Sequence, residues 1–284
     1  MELVSRDFDW EETLIIPIGD IQLQPNRDAV DIKGLKRTIE FGVANGAYWI
    51  GMGDMIDLES PSNRRALRNA GLYDSAYDAM DAAAEELEDE IYDLFKETKG
   101  RWLGMVEGHH YHEHQSGGTT DTRLAARLDA PYLGTAGYIN ARFKTPGRDA
   151  DVEYRFWVHH GRGGGALASG PYNKLEHVVK AFDADVYLMG HTHRVGHVTI
   201  PRVYAKFGKR YGTLDHKTLH LVSTGSFLKG WLEGHKANGR ASGMYPEAAM
   251  MNPTALGAAK IWFRPSWKKE FSGGRPKVDI SVEV

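Results

Sequence analysis

The chain predicts an α/β protein, and three observations carry that reading. Short apolar runs of strand length repeatedly stop at a glycine that is followed by a side chain able to bind metal. An amphipathic helical pattern separates the first two of these runs, which makes a β-α-β unit. The C-terminal third alternates strand-like runs with loops that contain Gly and Pro.

In chain order, the isoleucine-rich run Leu14 to Ile18 ends at Gly19-Asp20, the pattern of a buried strand delivering a carboxylate at its carboxyl end. Val30 to Ala44 carries Ile32, Leu35, Ile39 and Val43 at helical spacing, and Ala47 to Met52 is a second strand, ending at Gly53-Asp54. A long helix is predicted from Ser75, as N-cap, to Thr98, with Gly100 as its stop. The strand Trp102 to Val106 runs into Glu107-Gly108-His109-His110. Alternation over Val152 to Val158 predicts a strand ending at His159-His160-Gly161, and Lys174 to Phe182 reads as a helix. Val186 to Met189 precedes Gly190-His191-Thr192-His193. Val195 to Lys206, Thr218 to Ser223, Ala258 to Phe263 and Val278 to Val284 complete the strands. No repeat or compositional break divides the chain, so residues 1–284 are read as a single domain.

Composition narrows the function classes. Hydrophobic residues make up 42% and charged residues 26%, the balance of a folded globular chain rather than a disordered or membrane one. Met1 to Glu12 is polar and acidic with no apolar run, so neither a signal peptide nor a membrane span is expected, and the expected location is the cytoplasm. Cysteine is absent, which excludes disulfides and thiolate ligands and leaves any metal to Asp, His, Asn, Gln or Glu. The net charge of −3 gives no overall field for nucleic acid. Two basic stretches, Lys206, Lys209, Arg210 and Lys217, then Arg264, Lys268, Lys269, Arg275 and Lys277, could act locally or simply be solvated faces.

In open α/β sheets, ligands bind beyond the carboxyl ends of the strands, so five strand ends loaded with Asp and His predict one crevice and a metal site. A pair of divalent ions about 3.5–4 Å apart needs ligands from several chain segments, which no single helix motif supplies.

These segments resemble the calcineurin-like metallophosphoesterase superfamily, whose motifs run D-x-H, G-D-x-x-D, G-N-H-D/E, H-G and G-H-x-H. The second, fourth and fifth are intact here as Gly53-Asp54-Met55-Ile56-Asp57, His160-Gly161 and Gly190-His191-Thr192-His193. The loop Gly161 to Gly165, the stretch Tyr172 to Glu176 and Thr224 to Gly230 are similar to a branch frequent in bacteriophages and prophages, so the resemblance covers nearly the whole chain. It implies a four-layer αββα sandwich of two mixed sheets flanked by helices. It also implies two divalent ions, Mn²⁺ first with Fe, Zn²⁺ or Mg²⁺ as alternatives. Asp20 and His193 would hold one ion, His160 and His191 the other, and Asp54 would bridge them. The implied nucleophile is a bridging hydroxide. His110 would serve the leaving oxygen and Asp57 would orient the site; Arg162 and Lys174 flank the His160 loop, where a cation could hold substrate phosphate.

Two positions depart from the motifs. Gln22 stands where the first has histidine, and its neutral amide predicts a weaker first site. His109 stands where the third has asparagine, and its imidazole predicts a strengthened second site. Tyr111 follows His110 where the motif has an acid, with Glu113 two positions later. His112, His114, His159, His197 and His235 are read as hydrogen-bonded polar histidines; for His112, Glu113 and His114, which crowd one loop, a third metal contact is the less favoured alternative to a polar loop near the site. The expected activity is hydrolysis of a phosphodiester, with DNA as the leading substrate and, by the same resemblance, the cytoplasm of a bacterial host as the setting. A small nucleotide-like phosphate ester is the first alternative, and a binding or structural protein with an eroded site the second.

Overall fold

The two apolar runs that open the chain's core are buried along nearly their whole length because each becomes an inner strand of one sheet. A computed structural model describes residues 1–164, 167–208, 211–237, 239–268 and 275–284. Gly165, Lys209, Arg210 and Lys269, named above, lie outside the described residues. In chain order the first half contains β1 (Glu2–Phe8), β2 (Thr13–Ile18), α1 (Ile32–Ala44), β3 (Tyr48–Gly51), α2 (Pro61–Ala70), α3 (Asp74–Phe95), β4 (Trp102–Val106), α4 (Thr120–Arg127), β5 (Tyr132–Gly134) and β6 (Ala136–Phe143). The second half contains β7 (Val152–His159), α5 (Gly170–Val179), β8 (Val186–Met189), β9 (Val195–Phe207), β10 (Gly212–Ser226), β11 (Lys236–Ala237), β12 (Arg240–Ala241), α6 (Tyr245–Ala248), β13 (Gly257–Ala258), β14 (Lys260–Lys268) and β15 (Arg275–Glu283).

Two mixed sheets form. One has the order β15-β14-β2-β3-β4-β5, with β2 to β5 parallel and β14 antiparallel to both of its neighbours. The other has the order β1-β6-β7-β8-β10, with β9 and β13 also on β10. Ile15, Ile50, Met52 and Val106 of the first sheet share one buried cluster with Ile139, Phe143, Phe156, Val158, Leu188 and Val222 of the second, so the sheets pack face to face. The outer face of the first sheet is covered by Leu35 and Ile39 of α1, Leu87, Ile91 and Phe95 of α3 and Leu124 of α4. Leu175 and Val179 of α5 cover the outer face of the second, against Trp157, Tyr187 and Leu221. The α/β expectation holds, as two mixed sheets with helices outside.

Several elements differ from the sequence reading, each for a local reason. Helix α3 starts at Asp74 after Tyr73, not after Ser75, which puts an acid in the first turn beside the positive end of the helix dipole. Its regular turns end at Phe95, and Lys96–Thr98 is a tighter 3₁₀ turn. Helix α5 runs over Gly170–Val179 rather than Lys174 to Phe182, because Pro171 is tolerated in the first turn. Strand β1 was not anticipated in its polar segment: it is an edge strand, mostly exposed, paired in parallel with β6. Among the described residues, no helix is long and apolar enough to cross a membrane.

Gly42 lets α1 lie directly on the sheet, since a Cβ there would stand 2.4 Å from the Trp49 ring. Gly42→Ala is expected to destabilise the fold by about 1–3 kcal/mol through overpacking, read as a lower midpoint of urea unfolding with an unchanged slope.

Candidate metal centre

The chain presents its polar side chains at the strand ends by turning sharply there. Asp20, Gln22, Asp54, His191 and His193 all sit in the left-handed region, with φ of 47°, 51°, 50°, 63° and 55°. Non-glycine residues are uncommon there, and each such position costs about 1–3 kcal/mol that the surrounding structure must offset. Neighbouring strand ends supply the restraint. Asp20 N donates to Gly53 O at 3.0 Å and Gln22 N to Asp54 O at 2.9 Å, which ties the first two motif loops side by side. The third loop closes on Asp54 so tightly that a Cβ on Gly108 would lie 2.1 Å from Asp54 Oδ1.

Asp54, His109, His160 and His191 come together, with one ligand atom from each within 4.8 Å of the others. Asp54 Oδ1 accepts hydrogen bonds from the backbone N–H groups of His109 and, at 2.9 Å, of His110. Its other oxygen, Oδ2, faces His160 Nε2 at 3.1 Å, yet neither atom completes a hydrogen bond among the described residues. His160 Nδ1 donates to the Met52 carbonyl at 2.7 Å, which fixes the ring and turns Nε2 toward the carboxylate. Beside this group lies a second one. Asp20 Oδ2 accepts from His191 N at 2.7 Å, its buried Oδ1 is 3.5 Å from His193 Nε2, and Gln22 Nε2 is 3.2 Å from the same His193 nitrogen. Asp20 Oδ1 also lacks a hydrogen bond among the described residues.

Buried polar atoms without partners are rare in folded proteins, and here they converge. A carboxylate oxygen and a ring nitrogen face each other with the rest of each side chain already anchored. That is the donor set a divalent cation needs, and mixed imidazole and carboxylate ligands suit Mn²⁺, Fe or Zn²⁺. These residues could therefore hold a metal ion.

Electrostatics favour that use for Asp54, His109 and His191, whereas His160 must give up a proton to ligate. Burial pushes Asp54 up, but the adjacent His160 overcomes it and holds the carboxyl well below the usual carboxylate range. For Asp20 burial wins, and its affinity for a proton is raised. Burial lowers His160 too, but the Asp54 and Asp20 carboxylates push it up to about 9. Burial, then the neighbouring His160, pull His109 down to about 4 and His191 to about 3. Both rings are thus neutral imidazoles near pH 7, the form that binds a metal.

The other expected site residues are placed as follows. His110 Nδ1 meets Asp57 Oδ1 at 2.7 Å, a pairing that the separate roles implied by the motifs did not include. Lys174 Nζ is turned onto the loop itself, donating to the carbonyls of Arg162 at 2.7 Å, of Gly163, and of Gly164 at 3.2 Å. Arg162 is exposed on that loop. Glu113 pairs with Arg68 at the surface rather than joining the cluster. His159 stacks on Trp157 and accepts from Gly161 N at 2.7 Å, His197 stacks on His220, and His235 Nδ1 donates to Ser242 O at 2.6 Å, as expected of polar histidines. His112 and His114 turn away from the cluster toward α3.

Two supporting residues had no sequence signal. Arg64, buried on α2, places Nη1 within 2.9 Å of the carbonyls of Glu59, His109 and Tyr111, and its guanidinium lies 3.8 Å from the Tyr111 ring centroid. Asp121, in the first turn of α4, accepts from Gly108 N at 2.8 Å and so backs the third loop from behind. Neither sits at a strand end, so the pattern that flagged the other residues passes over them.

No protein-family model matches the chain, and no curated protein matches it.

Arg64→Ala leaves buried carbonyls without their donor and is expected to cost about 1–3 kcal/mol, measured by urea unfolding. Asp121 yields a pH effect. Burial, only partly offset by the Gly108 N–H, raises its pKa to about 7 from an ordinary 3.8. Between those values the unfolded chain releases a proton that the folded chain keeps, so this group makes stability fall as pH rises from about 4 to about 7. Asp121→Asn removes the dependence. With chelator present, the stability of the variant relative to wild type should climb across that window and then level off.

Proposed function

We propose that this chain is a metal-dependent phosphoesterase with the metallo-dependent phosphatase fold, hydrolysing phosphodiesters. The observation that carries the reading is the meeting of Asp54 Oδ2 and His160 Nε2, buried, 3.1 Å apart and without hydrogen-bond geometry, in a group with His109 and His191 drawn from four strand ends. Asp54, His109, His160 and His191 would hold one ion; Asp20, His193 and, more weakly, Gln22 would hold a second. Bound divalent cations would lower the pKa of water to give a nucleophile at neutral pH and would polarise the phosphoryl oxygens.

The protein's own part is positioning and proton transfer. Met52 O and the backbone N–H groups of His109, His110 and His191 hold His160, Asp54 and Asp20 in orientation, so little reorganisation accompanies ligand binding. His110 is the proton donor to the leaving oxygen. Burial disfavours its charged form, but the hydrogen-bonded Asp57 and the nearby Asp54 outweigh this and raise its affinity for a proton, the direction that donation needs. Asp57 holds the ring through Nδ1, leaving Nε2 as the donating nitrogen. The weaker Gln22 side predicts two ions of unequal affinity.

Nucleic acid is the substrate class we place first, by the phage-like resemblance of the sequence. A second reading, a small nucleotide-like phosphodiester, is favoured by one observation. Several cations of the basic stretches are already paired with carboxylates: Lys206 with Asp215, Lys217 with Asp185 at 2.8 Å, Arg264 with Glu12 at 2.5 Å and Lys277 with Asp279.

The test is turnover of bis-p-nitrophenyl phosphate, p-nitrophenyl phosphate and single- and double-stranded DNA with Mn²⁺, Mg²⁺, Zn²⁺ or chelator. Diester cleavage that needs a divalent ion and falls at least about 100-fold in His110→Ala is the expected result. Cleavage of the small diester but not DNA selects the second reading, and no turnover with any ion sinks the proposal.

A further inference from the structure

Outside the site just described, a second histidine pair is buried in carboxylates. His112 and His114 follow the third motif loop and point at one face of α3, where Asp81 and Glu88 stand two turns apart. Their side chains are 4% and 0% exposed. His112 Nδ1 is bound to Glu59 Oε1 at 2.6 Å, and His114 Nε2 to Glu88 Oε1 at 2.7 Å. Each ring therefore has one nitrogen held by a glutamate and the other turned toward Asp81. His112 Nε2 lies 2.6 Å from Asp81 Oδ1, and His114 Nδ1 lies 3.7 Å from the same oxygen.

A carboxylate holding the far nitrogen of a histidine is the arrangement that orients imidazole toward a metal, and here it occurs twice around one aspartate. An independent observation points the same way. His114 Nδ1 is fully buried, aimed at Asp81, and has no hydrogen-bond partner among the described residues. A hydrogen-bonded polar cluster would satisfy that nitrogen; this one leaves it open toward the carboxylate. One ligand atom from each of Asp81, His112 and His114 lies within 4.8 Å of the other two. Two donors on one zinc ion sit about 3.3 Å apart, given zinc–nitrogen distances of about 2.0–2.1 Å, so the cluster is near the required size.

We propose that Asp81, His112 and His114 form a separate binding site for a zinc-class dication, with Glu59 and Glu88 orienting the two imidazoles and water completing the coordination at the partly exposed side of Asp81. Binding releases to solvent the proton shared between His112 Nε2 and Asp81 Oδ1 and engages the open nitrogen of His114. The ion joins α3 to the segment that carries His109 and His110. Its role is to hold that segment in place, and it does not depend on what the Asp54 group hydrolyses.

The experiment uses the intact chain, stripped by chelator and reloaded with Zn²⁺. Zinc-edge anomalous scattering from its crystals should show a peak between His112, His114 and Asp81, resolved from any peak at the Asp54 group. Zinc content by mass spectrometry should be one equivalent lower in Asp81→Asn than in wild type, and the rise in Tm on adding zinc should be smaller in that variant. Asp81→Asn is chosen because its carboxyl is partly exposed and the change is isosteric; if it does not fold, the anomalous peak decides alone. Zinc at the Asp54 group with none between the two histidines, or equal zinc content in wild type and folded Asp81→Asn, overturns the proposal. Because the two sites are counted separately, that failure is distinct from failure of the phosphoesterase reading.

Discussion

The Asp54 carboxylate is the point through which the strand ends are joined. One oxygen receives the backbone of the third loop at His109 and His110, while the other faces His160 from the fourth. The residue's own carbonyl receives Gln22 N from the first. A charge this deeply buried is costly unless partners surround it. The fold meets that requirement with backbone N–H groups and histidines drawn from separate strands, so the same contacts that keep Asp54 ionised bring the other polar side chains within reach of one another.

That arrangement needs an unusual backbone. Five polar residues adopt left-handed φ at the ends of short buried strands, and each would be unfavourable in isolation. The strands behind them are packed on both faces, through the cluster between the sheets and the one beneath α1 and α3. The apolar core and the polar cluster are therefore parts of one design: burial of Ile15, Ile16, Trp49 and Ile50 holds the strands rigid enough to keep Asp20 and Asp54 turned inward.

Behind the third loop stands a supporting layer. Arg64 binds its carbonyls, Asp121 binds its Gly108 N–H, and the segment continuing from it is fastened to α3 by His112 and His114. This loop carries both His109, which lies in the cluster with Asp54, His160 and His191, and His110, which pairs with Asp57.

The sequence by itself determined which residues end the strands and which of those are polar side chains able to bind a metal. Apolar runs stopping at Gly-Asp or Gly-His are local signals, and Asp20, Asp54, His109, His110, His160, His191 and His193 were all legible from them. So were β4 and β8, whose short apolar runs match their observed bounds. Only the tertiary structure decided the rest. Whether Lys174 faces a ligand or clasps the loop before it depends on how that loop folds back, and whether His112 and His114 are solvated or enclosed by Asp81, Glu59 and Glu88 depends on partners far away in the chain. Strand β1 and the supporting roles of Arg64 and Asp121 were hidden for the same reason. A strand end announces itself through its neighbours in sequence, whereas the fate of a polar side chain is set by what the fold packs against it, and no local pattern records that.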